Sequence, residues 1–132
     1  MRFSFIPLFL IGIASTASAE TPLSAAEFDE YTRGKTMFYA ADGARYGAEQ
    51  YLRNQRVRWS FLDGDCKEGS WYQSGADICF VYEDDPNPQC WQFFLEPGGL
   101  SAQFTGEGGG DVLYEVGSEG EKMQCLGPKV GA

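Results

Sequence analysis

The stretch DICFVYEDDPNPQCWQFFLE, residues 77–96, decides how the rest of the chain is read. Residues 77–83 and 89–96 each alternate with a period of two, the strand signature. Ile78, Phe80 and Tyr82 share one face of the first run, and Cys79 and Val81 the other. In the second run Trp91, Phe93 and Leu95 share a face, opposite in parity to Cys90, Gln92 and Phe94. The intervening DDPNP is rich in turn formers, so the two runs read as a hairpin. Setting Cys79 opposite Cys90 brings Ile78 across from Trp91 and Phe80 across from Gln89, with the turn centred between Asp84 and Asp85. Facing Cα atoms in an antiparallel pair stand about 4.5–5.5 Å apart, within reach of a disulfide. Four cysteines admit three pairings. The expected one is Cys79–Cys90, which leaves Cys66–Cys125.

Whether these thiols oxidise depends on compartment, and the first residues speak to that. Arg2 supplies a cationic start, residues 3–13 are an apolar run, and Ala17-Ser18-Ala19 forms a small-residue cleavage site before Glu20. This is the layout of an export leader, residues 1–19; the run is too short to span a bilayer, which takes about 20 apolar residues. The expected destination is the periplasm or the medium, where cysteines pair and stay paired. Zinc, the competing use, wants close C-x-x-C pairs or histidine partners. The chain has no histidine, and its cysteines are widely spaced. A redox-active thiol is also disfavoured, because Glu83, Asp84 and Asp85 beside the hairpin cysteines oppose thiolate formation.

Residues 20–117 are read as one β domain, and residues 118–132 as an irregular tail tied down by Cys125. The net charge is −9, and −10 once the leader with its single cation is removed. Such a surface repels nucleic acid and anionic membranes.

The same period of two runs through the domain. First comes a helix start: Ser24 and Glu27 stand at the N-cap and N3 positions of a capping box, flanked by Leu23 and Phe28 as a hydrophobic staple. Gly34 fits the residue that ends the helix. A helix over 25–33 burying Phe28 and Tyr31 follows. Strands are then expected at 36–40, 45–52, 55–62, 66–73, 77–83, 89–96, 100–105 and 112–116, with Asp42-Gly43 and Ser74-Gly75 as turns. Short strands with turn signals about every 8–12 residues mean a sandwich or barrel. Hairpin-length connections favour an up-and-down antiparallel meander curled into a barrel or half-barrel, with the helix plugging one end or covering an open side.

Catalytic signals are sparse. Without histidine, Ser-His-Asp and Cys-His nucleophile systems are excluded. Asp63, Asp65 and Glu68 faintly imitate a calcium loop but lie between strands and supply too few oxygens. The glycine-rich residues 106–111 (GEGGGD) lack the Lys-Ser or Lys-Thr and the helix of a phosphate loop. No metal or cofactor is expected, and an acid–base pair of carboxylates is the weakest of the functional readings.

Aromatic residues are abundant: ten Phe, seven Tyr and three Trp. In a small barrel such side chains either fill the interior or wall a cavity. The first functional reading is therefore a non-enzymatic exported barrel holding a small apolar or aromatic ligand, walled by Trp59, Trp71, Phe80 and Trp91. The alternative is a protein-binding or inhibitor-like module that meets a cationic envelope partner through the acidic residues 83–88, with Glu83, Asp84 and Asp85 as its charges.

Gly34-Lys35-Thr36 after a short helix, Gly69-Ser70-Trp71 before a turn, and Ile78-Cys79-Phe80 followed by Cys90 carry a resemblance. Over residues 34–95 the chain resembles small exported bacterial domains with a lipocalin-like or calycin-like barrel. The resemblance implies that fold and brings no catalytic residues with it.

Overall fold

The computed structural model describes residues 1, 12, 20–117 and 122–126. The leader read at residues 1–19, apart from two isolated positions, lies outside the described residues, as do 118–121 and 127–132 of the tail. One helix, α1 (Ala25–Thr32), precedes eight strands: β1 (Thr36–Ala41), β2 (Ala44–Tyr51), β3 (Arg56–Ser60), β4 (Lys67–Ser74), β5 (Asp77–Tyr82), β6 (Asp85–Glu96), β7 (Gly99–Phe104) and β8 (Val112–Val116). Each strand pairs antiparallel with the next. β8 returns to β1 through Phe38–Val116, Tyr39–Glu115 and Ala40–Tyr114, so the meander closes into a full barrel.

The helix forms as its sequence dictates. Glu27 N–H donates to Ser24 Oγ, and Ser24 N–H donates to Glu27 Oε1, so the capping box satisfies two orphan donors. Arg33 is the C-cap and Gly34 follows with φ of 78°, a left-handed backbone that glycine adopts without a Cβ penalty. Phe28 is fully buried, whereas Tyr31 is only half-buried and Thr32 takes the second inner position. Three backbone hydrogen bonds seat the helix segment on the barrel: Leu23 N–H to Phe93 O, Gly34 N–H to Tyr51 O, and Tyr51 N–H to Lys35 O. Phe28 thereby enters the barrel end, with its ring 5.1 Å from Trp71, 5.5 Å from Tyr51 and 4.4 Å from Phe93. Val57, Ile78 and Leu100 complete this plug.

The hairpin of β5 and β6 keeps the expected register: Ile78 faces Trp91, Cys79 faces Cys90 and Phe80 faces Gln89. Cys79 and Cys90 are bonded, with Cα atoms 4.0 Å apart. The turn differs from the expectation. Tyr82 faces Asp85, so the chain reverses at residues 83–84 and not between Asp84 and Asp85. β6 begins at Asp85, four residues earlier than its alternation suggests. The reason lies in the register shift between Phe80 and Tyr82, where Pro86, Asn87 and Pro88 together oppose Val81. Two prolines have no N–H to give the ladder, and a bulge accommodates them without ending the strand.

The second disulfide joins Cys66, in the β3–β4 loop, to Cys125, with Cα atoms 5.4 Å apart. Leu126 N–H donates to Gly64 O at 2.8 Å beside it, so the described tail segment lies along that loop. All four cysteines are bonded. Among the described residues no helix is long and apolar enough to cross a membrane.

Candidate ligand-binding cavity

The plug leaves the opposite half of the barrel unfilled. That half ends in the β1–β2 turn, the β3–β4 loop, residues 83–84 and the loop before β8. Between them opens a cavity of about 310 Å³. Its inner wall carries Tyr39, Glu49, Tyr51, Phe80, Phe93, Ala102 and Leu113, and its outer part Tyr46, Trp59, Phe61, Lys67, Tyr82, Asp84, Asp85, Gln89 and Trp91. A cavity of this size falls at the lower end of small-molecule sites. A second cleft of about 270 Å³ adjoins it at the same end, sharing Tyr46, Trp91 and Leu113 and reaching Gly110 and Asp111 of the glycine-rich loop.

Three of the four aromatic residues singled out in the sequence line this space: Trp59, Phe80 and Trp91. Trp71 does not. It belongs to the plug, 2% exposed and in T-shaped contact with Phe28. Strand parity cannot separate the two, because inward residues of one strand can sit at either depth. Trp59 owes its place to Gly47, where a Cβ would collide with the indole ring. Around it, Tyr46, Trp59 and Phe61 form a cluster with centroids 5.3–5.8 Å apart. Trp91 packs on Phe104 at 5.0 Å.

The acidic stretch is not one projecting loop. Asp84 pairs with Lys67 at 2.7 Å across the mouth, which holds the Asp84 carboxyl below its ordinary range and raises Lys67. Asp85 Oδ1 accepts from Asn87 N–H at 2.9 Å inside β6. Glu83 Oε1 accepts from Glu68 N–H at 3.4 Å. The imitation calcium loop is likewise committed elsewhere: Asp63 Oδ1 accepts from Asp65 N–H, and Glu68 pairs with Arg58 at 2.6 Å. Among the described residues no three Cys, Asp or Glu side chains converge as metal ligands.

The polar centre of the cavity is Glu49, 2% exposed on β2. Its Oε1 accepts from the Tyr82 hydroxyl at 2.7 Å, while Oε2 has no hydrogen-bond partner among the described residues. Burial pushes this carboxyl well above the ordinary carboxylate range, against the opposing effect of the Tyr82 hydrogen bond. The Tyr39 and Tyr51 hydroxyls share a hydrogen bond of 2.9 Å nearby, and burial raises both phenols and that of Tyr82. Sequence reasoning missed Glu49. The available signal was its parity: in ARYGAEQY it shares a face with Gly47 and Tyr51, so a carboxylate falls on the inward side of a closed sheet.

No family model matches the chain, and no curated protein or solved structure matches it.

Proposed function

We propose that the protein is an exported, non-enzymatic binding barrel that holds one small, largely aromatic or apolar molecule in this cavity. The observation that carries the reading is the change of packing along one barrel. The plug end is solid around Phe28, while the other end keeps about 310 Å³ free between aromatic walls. Native interiors pack densely, and a volume preserved between rings is what an occupant of matching shape would fill. Export is supported by two formed disulfides, which persist in oxidising compartments. Binding without turnover is favoured because the inner wall offers phenols and one carboxyl but no histidine base.

The test uses N-phenyl-1-naphthylamine, a neutral apolar fluorophore. Its emission is expected to rise on titration with the protein and to saturate at one site, with quenching of the Trp59 and Trp91 fluorescence. Introducing bulk at the cavity wall, Ala102→Phe, should abolish the rise while the folded circular-dichroism spectrum persists. A rise that survives that substitution, or no rise at all, overturns the reading.

A further inference from the structure

We propose that the ligand is a cationic amine, an ammonium group carried on an aromatic or apolar body, and that Glu49 is the residue that recognises it. The inference rests on the cavity being a binding site and deepens that reading.

A buried carboxyl oxygen without a partner is costly, so native structures rarely leave one. Glu49 Oε2 is such an atom, on a side chain that lines the cavity. Its sister oxygen is already held by the Tyr82 hydroxyl, which fixes the carboxyl against β5. The groups facing Glu49 are phenols: Tyr39 from β1, Tyr51 from β2 and Tyr82 from β5. Among the described residues no cation lies on the inner wall. The one lining cation, Lys67, is engaged by Asp84 at the mouth. With Asp85 also at the mouth, the lining carries three carboxyl groups against one ammonium.

This arrangement suits one ligand charge better than the others. An anion would meet carboxyl groups and no free donor of positive charge. A neutral polar ligand could hydrogen-bond with the carboxyl and stack on the rings, but it would gain no cation–π attraction to their faces. An ammonium gains from both, since cations are attracted to the faces of Trp, Tyr and Phe and a buried carboxylate is most stable when paired. Phenol oxygens can accept its remaining N–H bonds. In the empty cavity burial favours the protonated carboxyl. When the ammonium enters, Glu49 gives its proton to solvent and forms the ion pair, so proton number and charge balance with no further reactant.

The experiment compares three probes of similar shape: 1-naphthylmethylamine, 1-naphthalenemethanol and 1-naphthoate. Each is titrated into wild type and Glu49→Gln by isothermal calorimetry near pH 6, in two buffers of different ionisation enthalpy. The amine is expected to bind at least about tenfold tighter than the alcohol, as charge-assisted contacts outrank neutral ones. Its heat should differ between buffers because a proton is released. In Glu49→Gln the amine should lose both its advantage over the alcohol and the buffer dependence. Equal binding of amine and alcohol, or an amine advantage that persists in Glu49→Gln, overturns the amine assignment but leaves the binding site standing. Binding of none of the three, together with no uptake of N-phenyl-1-naphthylamine, overturns both.

Discussion

Gly69 lies directly opposite Tyr82 in the β4–β5 ladder, and its missing side chain is what lets the Tyr82 hydroxyl reach Glu49. A Cβ on Gly69 would stand 2.8 Å from Tyr82 Cδ1 and closer still to the Val81 carbonyl oxygen. The glycine, the phenol and the buried carboxyl therefore form one unit across three strands.

Gly69→Ala tests that unit. The added methyl forces Tyr82 away and leaves the Glu49 carboxyl without its remaining partner. Overpacking of this kind costs about 1–3 kcal/mol. Urea denaturation should show that loss; a change below about 0.5 kcal/mol would mean that the wall yields freely and that the contact has no structural weight.

Glu49 should also shape stability against pH. Its carboxyl is raised above the ordinary value of 4.5, so between that value and its native pKa the folded state holds a proton that the unfolded chain has lost. The favourable contribution is complete below about 4.5 and declines as pH rises, by up to about 1.4 kcal/mol per pH unit for one proton. Glu49→Gln lacks this slope. Its stability relative to wild type should grow between pH 5 and 7, measured by denaturation in urea. Parallel curves for the two proteins would show that Glu49 is ionised in the native state.

The two disulfides should differ in weight. They close segments separated by 11 residues (Cys79–Cys90) and 59 residues (Cys66–Cys125). Loop-closure entropy assigns about 3 kcal/mol to the shorter and about 4 kcal/mol to the longer. Paired Cys→Ser variants compared by denaturation check the order, and a thiol reagent applied without denaturant should label neither wild-type pair.

Phe28→Ala should remove the plug at the helix end. Truncating a fully buried phenylalanine costs about 3–5 kcal/mol, and Phe28 contacts Trp71, Tyr51 and Phe93 at once. Denaturation measures the cost. A loss under about 1 kcal/mol would show that α1 is only loosely applied to the barrel.

The fold was legible because one short-range rule governs most of it. Alternation between inner and outer residues gave the strands, and the capping box at Ser24 and Glu27 with Gly34 gave the helix. The register at Cys79–Cys90 followed from setting the two cysteines opposite each other in the hairpin. Residues 85–88 were misread because prolines usually end strands, whereas here a bulge carries them within β6. Alternation left open whether the meander closes into a barrel or stops at a half-barrel, since closure joins Tyr39 to Glu115 across most of the chain. Depth along the axis was hidden for the same reason. Trp71 and Trp59 have the same inward parity, yet one is plug and the other wall. Glu49 was overlooked because a charged residue in a short strand ordinarily faces water.

With β8 joined to β1 and α1 seated across the far end, the described chamber opens on the side away from the helix. At that mouth Lys67 bonds to Asp84 and stands 5.7 Å from the centre of the Phe61 ring. For the proposed ligand, salt that weakens this ion pair should speed exchange, so residence time should fall as ionic strength rises.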